Sequence, residues 1–252
     1  MEIAICLKPV KSSIVFKDSK HEYMINPYDL FSLELIKKVI SREPLNVTAI
    51  LMGRLDTRII SQIKLYGINR IIYANDNCFS GSDTFATSYV LCSIIKSNQF
   101  DYIICGKKAV DGETGHIAPS LARRLDYNYL SEVQDLDVIN GDLCCIIQDG
   151  NKIITYKVEA STVIETSSLL IKEVPLSLFH IKNIQNVSYE LITSNDLSIE
   201  KQYCGLSGSK TKVIGMHKIE HKCNRERRVL NIDNEEHCQI ILKVLTGEYN
   251  EL

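Results

Sequence analysis

No run in this chain approaches the roughly 18–20 uninterrupted apolar residues that a helix needs to cross a bilayer, so no membrane span is expected. Charge of one sign is equally lacking. Lys+Arg number 29 against Asp+Glu 31, a net charge of -2, which leaves no global field to draw the chain to nucleic acid or to an anionic surface. Any anion has to be bound locally. There is no CxxC pair, and the 9 cysteines sit at scattered positions such as Cys6, Cys92 and Cys105, inside apolar runs where a free thiol packs as a small hydrophobe. That usage fits a reducing compartment. The first ten residues lack the long apolar stretch of a secretory leader and read as a strand entering the core at once, so the expected location is the cytoplasm.

What the sequence does have is enough apolar content for one sizeable core and an appendage: 252 residues, 45% hydrophobic and 24% charged. Through the first half, short apolar runs at residues 3–7, 47–52, 70–74 and 102–105 alternate with helix-like segments at 28–40, 56–66 and 83–95. This alternation is the pattern of parallel βα units. Ser82 and Asp83 supply an N-cap signal for the last of these helices. From Ser131 the texture changes to short β segments, with Asp149-Gly150-Asn151 turning between strands at 143–148 and 152–158, and an apolar segment at 163–171 that returns to the core. Residues 172–206 lack periodicity and read as an irregular connection. A Gly/Ser turn, a strand at 212–216, a basic loop and a helix at 235–245 complete the chain.

After the fourth strand comes Gly106-Lys107-Lys108-Ala109-Val110-Asp111-Gly112-Glu113-Thr114-Gly115, then a helical run through Leu125. Ligands of open parallel sheets bind at the carboxyl ends of strands, where this loop is expected. Gly112 and Gly115 allow a close backbone approach, Asp111 and Thr114 offer short polar side chains, and the following helix presents free N–H groups to phosphate. The same glycines also suit a packing turn. Asn26-Pro27-Tyr28-Asp29 opens the first helix, with Asn26 serving either as an ordinary cap or as a hydrogen-bonding partner for a ligand.

Three other stretches resemble enzymatic motifs and fail on spacing. Residues 205–211, Gly-Leu-Ser-Gly-Ser-Lys-Thr, match neither GxxxxGK[ST] nor GxSxG and read as a turn. His217, His221, Cys223, His237 and Cys238 fit no zinc module. Arg225, Arg227 and Arg228 have no interleaved aromatic platform for nucleic acid and read as a solvated or interface patch. No nucleophile–base set can be assembled, so no catalytic residue is assigned and a binding role is favoured over hydrolysis.

Taken in order, these stretches resemble the beta subunit of electron-transfer flavoproteins over nearly the whole chain. The resemblance rests on the opening strand that ends in Lys8, an NPYD-like helix start at Asn26, Met52-Gly53, Tyr66-Gly67-Ile68-Asn69-Arg70 and Gly81-Ser82-Asp83-Thr84. Most specific is the run from Gly106 to Pro119, similar to the family's GKQAIDGDTGQVGP. The resemblance implies an α/β fold, Rossmann-like and of the adenine nucleotide alpha hydrolase type: a mostly parallel sheet with helices on both faces and a C-terminal arm. By position it puts Cys6, Asn26, Pro27, Tyr28, Asp29, Met52, Gly106, Lys107, Lys108, Ala109, Val110, Asp111, Gly112, Glu113, Thr114, Gly115, His116 and Ile117 around an adenine nucleotide.

The nucleotide expected from the Asp-Gly-Glu-Thr-Gly wording is FAD, with AMP the alternative. The implied partners are an electron-transfer flavoprotein alpha subunit and a flavin-dependent dehydrogenase, and the implied role is an electron carrier rather than an enzyme. Residues 1–205 are expected to form the nucleotide-binding domain and 206–252 an arm that contacts the alpha subunit. One departure stands out. Where the family carries Asn-Glu-Pro-Arg-Tyr and a lysine-rich run, this chain has Lys172-Glu173-Val174-Pro175 followed by few lysines, which points to a diverged docking partner. The competing reading is a nucleotide-binding or hydrolase-like protein of related fold with no flavin role.

Overall fold

Five of the six residues of β1 (Glu2–Leu7) are buried, and a strand covered on both faces belongs at the centre of a parallel sheet sandwiched by helices. The computed structural model describes residues 1–15, 22–167, 187–212, 215 and 233–246. It divides into two compact units, Met1–Lys212 and Val213–Leu252. In the first, the strands in chain order are β1, β2 (Pro9–Lys11), β3 (Tyr23–Ile25), β4 (Asn46–Met52), β5 (Arg70–Ala74), β6 (Tyr102–Cys105), β7 (Asn128–Val133), β8 (Asp135–Ile139), β9 (Asp142–Asp149), β10 (Lys152–Lys157), β11 (Thr162–Thr166) and β12 (Ser188–Ile192). Seven of them form one sheet in the order β12-β5-β4-β1-β6-β11-β7, every neighbouring pair parallel.

The helices of this unit are α1 (Ser12–Val15), α2 (Pro27–Ile40), α3 (Thr57–Leu65), α4 (Thr84–Asn98), α5 (Ile117–Leu125) and the single turn α6 (Gly205–Gly208). Because side chains alternate along a strand, Ile3 and Ile5 join one apolar cluster with Leu33 and Ile36 of α2 and Ile59 and Ile63 of α3. Ala4 and Cys6 point the other way, into a second cluster with Val90 and Ile94 of α4 and Leu121 of α5. The mostly parallel sheet with helices on both faces is therefore as expected. Loss of a buried isoleucine such as Ile5 to alanine costs about 2–5 kcal/mol in such a core. The sheet β10-β9-β8 is antiparallel, turns at Gly150-Asn151, and packs Leu136, Leu143 and Cys145 into the α2-side cluster.

Two parts of the architecture differ from the sequence reading. Residues 187–206, read as part of an irregular connection, contain β12, which pairs in parallel with β5 along the sheet edge. Only Ile192 of β12 is buried while Tyr189 and Leu191 are exposed, so backbone pairing rather than apolar patterning makes the strand. Second, β2 and β3 form an antiparallel pair that carries the chain from β1 into α2, and nothing in the hydropathy marks it. In the second unit, helix α7 (Glu235–Leu245) matches its expected bounds and is capped by Asn234, whose Oδ1 accepts from Glu236 N and His237 N. The expected strand at 212–216 and the basic loop fall largely outside the described residues, as do residues 168–171 of the apolar segment.

Residues 205–211 form a turn as expected, but one with a specific anchor. Gly205 has φ +55, and a Cβ there would lie 2.3 Å from the Cys78 carbonyl oxygen, so only glycine fits. Asp83 caps α4 by accepting from Ala86 N at 3.0 Å, and its other oxygen accepts from Lys210 N, Thr211 N and the Thr211 hydroxyl at 2.7, 2.9 and 3.1 Å. Burial alone would raise the Asp83 carboxyl pKa, but these hydrogen bonds together hold it below the usual range. Asp83→Ala is therefore expected to cost about 1–2 kcal/mol from the cap alone. Denaturant unfolding should show this loss, and limited proteolysis should show faster cleavage within 205–212.

Candidate functional site

The sheet order reverses at β1: the chain moves from β1 to β4 and β5 on one side, then crosses to β6 on the other. The crevice at the carboxyl ends of such strands is where open α/β sheets bind ligands. Two segments meet there, the start of α2 after β1 and the loop of residues 106–116 between β6 and α5.

Asn26 joins them. It lies at the N-cap position of α2 yet makes no side-chain cap hydrogen bond. Instead its amide donates to the Lys108 carbonyl at 2.8 Å and to Asp29 Oδ1 at 3.0 Å, while its oxygen accepts from Val110 N at 3.1 Å. Both amide protons are used, so the buried side chain clamps the loop from inside. Asp29 also accepts from Lys8 N at 2.7 Å, which ties the end of β1 to the same cluster. A Cβ at residue 106 would lie 2.3 Å from Asp29 Oδ1, which is why the loop must leave β6 through glycine.

The remaining loop side chains are held as well. Asp111 pairs with Lys8 Nζ at 2.6 Å, the Thr114 hydroxyl meets Thr84 at 3.0 Å, and Lys108 stands 3.8 Å from Glu113 and 5.6 Å from the centre of the Tyr28 ring. Gly115 takes φ +63, whereas a Cβ on Gly112 would touch nothing within 4 Å, so the loop's outer side is open at that point. Cys6 and Cys105 are register partners on β1 and β6, both buried in the cluster on the α4 and α5 side of the sheet. Met52 ends β4, next to Gly53. His116 precedes α5 without capping it by a side chain, so the first N–H groups of that helix have no side-chain partner from the cap residue.

The electron transfer flavoprotein domain model matches residues 13–168. The chain is 31% identical over 200 residues to the electron transfer flavoprotein subunit beta of Thermoanaerobacterium thermosaccharolyticum, covering 76% of this chain and 74% of the relative. The chain belongs to the electron transfer flavoprotein beta family. It is also similar to the subunit beta of Clostridium acetobutylicum, 27% identical over 230 residues with 84% and 86% covered, and to the protein FixA of Sinorhizobium fredii, 28% identical over 271 residues with 94% and 88% covered.

Within this electron transfer flavoprotein fold, the structure brings together the start of α2 and the loop of 106–116 that the sequence reading put around a nucleotide, and adds residues the reading missed. Lys8 and Thr84 are partners of Asp111 and Thr114; both lie in stretches that carried the resemblance, but neither was put around the nucleotide. Glu132 and Glu165 pair with Lys107, and the Tyr129 hydroxyl donates to Glu165. The available signal was a single carboxylate, Glu165, inside an apolar strand. No helix of the described residues is long and apolar enough to cross a membrane. Among the described residues no group of three or more His, Cys, Asp or Glu is placed to hold a metal ion, and His217, His221 and Cys223 lie outside them.

Burial pushes the Asp29 carboxyl from 3.8 up to about 7, against the opposing pull of the Lys8 N–H, the Asn26 amide and the Lys8 charge, with the Asp111 charge adding to the rise. A raised value means the folded state holds this proton more tightly than the unfolded chain. Its contribution to stability is full below about pH 4 and is lost as pH rises through 7, with a slope of about 1.4 kcal/mol per pH unit between. Denaturant unfolding of wild type and Asp29→Asn across pH 4–7.5 is expected to show that slope only in the wild type.

Proposed function

We propose that the chain is the beta subunit of a heterodimeric electron-transfer flavoprotein, holding an adenine nucleotide in the crevice between Asn26 and residues 106–116. With an alpha subunit, it passes electrons between a flavin-dependent dehydrogenase and an acceptor. The observation that carries this reading is the loop itself. In a chain of this family, a loop at the strand-order reversal is tied down by Asn26, Lys8, Thr84 and Gly106 while its outer side stays open.

FAD is favoured over AMP. The open position at Gly112 and the left-handed Gly115 leave room for a pyrophosphate against the backbone, and the start of α5 offers N–H groups and a positive dipole end. A bound flavin would supply the redox chemistry, and the chain's own residues would supply placement and electrostatics. Asn26 and Asp29 shape the loop from within, and the backbone of residues 112–117 faces the nucleotide. A hydrolase-like role has less support, because Asp111 and Glu113, the acidic side chains of the loop, are paired with Lys8 and Lys108.

Expressed alone, the chain is expected to purify largely colourless; expressed with its alpha subunit, it should gain a flavin spectrum. Chromatography of the nucleotides released from the heterodimer tests the FAD assignment: two FAD per heterodimer supports it, and one FAD with one AMP refutes it. The second compact unit is proposed to contact the alpha subunit. Truncation after Lys212 should then abolish association while leaving most of the circular dichroism, and a truncated chain that still forms the heterodimer would refute that assignment.

A further inference from the structure

Strand β11 is buried at all five of its residues, yet its fourth is Glu165, only 3% exposed. A carboxylate placed there must be satisfied on the spot. Its Oε2 accepts from the Tyr129 hydroxyl at 2.9 Å, and its Oε1 lies 3.5 Å from Lys107 Nζ. An apolar residue of similar size would serve such a strand as well or better for stability alone, so the core gives no reason for an acid.

A second carboxylate reaches the same ammonium. Glu132 of β7 pairs with Lys107 Nζ, and it does so from a left-handed backbone position, φ 59, which a non-glycine residue adopts only under strain. The β7–β11 register shifts between Ile164 and Thr166, the kind of irregularity that re-aims side chains at a sheet edge. Two unfavourable local choices, a buried acid and a strained backbone, thus converge on one lysine.

That lysine is the second residue of the nucleotide loop. Glu165 is the register partner of Cys105, so Lys107 stands just past the point where β6 ends beside β11. The Lys107 carbonyl oxygen is 3.3 Å from where a Cβ on Gly115 would sit, so it also packs against the far end of the loop. The next carbonyl, that of Lys108, is the one Asn26 holds.

We propose that Glu165 and Glu132 are positioning residues for the nucleotide loop: together they pin Lys107 and thereby set where residues 106–116 leave the sheet. With its ammonium held by two carboxylates, Lys107 contributes placement rather than free positive charge, and the loop backbone is left to meet the phosphates. This inference rests on the functional reading above for what the loop binds, but not for the pinning itself.

The test uses Glu165→Gln, which keeps an acceptor for Tyr129, Glu132→Gly, which relieves the strained backbone, and Lys107→Met with its double variant Lys107→Met/Glu165→Gln. Hydrogen exchange on the full chain reads the pinning directly. Amides of 106–116 should exchange about 3- to 10-fold faster in each single variant, the effect of losing one or two hydrogen bonds, with the central strands unchanged. The double variant should be no faster than Lys107→Met. Glu132→Gly should do this with a Tm equal to or above wild type, which a merely destabilised fold would not show. Unchanged loop exchange in Glu165→Gln and Glu132→Gly, or independent addition in the double variant, overturns the proposal. Nucleotide retained by the heterodimer is measured in parallel. Wild type retaining none would overturn the functional reading, and the exchange result would still decide the pinning.

Discussion

The buried hydrogen-bond pair of Asn26 and Asp29 is what the geometry of this edge depends on. Both side chains are withdrawn from water, so the Asp29 oxygens need donors close by, and they find them in Lys8 N–H and the Asn26 amide. Asn26 in turn spends its remaining capacity on the backbone of Lys108 and Val110. One small polar cluster thereby connects the end of β1, the start of α2 and the middle of the loop after β6. Its low-dielectric setting strengthens each bond and makes the loss of any partner expensive.

A loop tied down in this way is shaped before any ligand arrives. The ordering of a flexible loop normally subtracts from binding, and here folding has done that ordering beforehand. The lysines around the loop follow the same pattern. Lys8 faces Asp111, Lys108 faces Glu113, and Lys107 faces Glu132 and Glu165. Their charges are largely balanced within the chain, so an anion bound under the proposed reading would be met by backbone N–H groups and the α5 dipole.

Much of this was readable beforehand, for identifiable reasons. The central strands at 70–74 and 102–105 have the bounds the apolar runs indicated, because a strand buried on both faces has little freedom in composition. Helix α7 also matches, with Asn234 and two acidic residues marking its start. Strand β12 was not legible: its outward residues Tyr189, Glu190 and Leu191 carry no alternation, and its place was settled by the free edge of β5. The loop of 106–116 could be located from its glycines, but whether Asn26 capped a helix or met a ligand stayed open, and the structure gives it a third task.

What the sequence determined by itself is therefore the periodic part: alternating apolar runs that dictate a doubly covered parallel sheet, and a glycine-rich loop that must follow its fourth buried strand. Tertiary structure alone decided the partnerships. Lys8 and Asp111 are 103 positions apart, Asn26 and Lys108 are 82, and no local rule links them. Parallel strand order brings all these carboxyl ends to one edge. Local propensity acts over a few residues, whereas the pairing of a buried polar group is fixed only when the sheet has chosen which distant segments lie side by side.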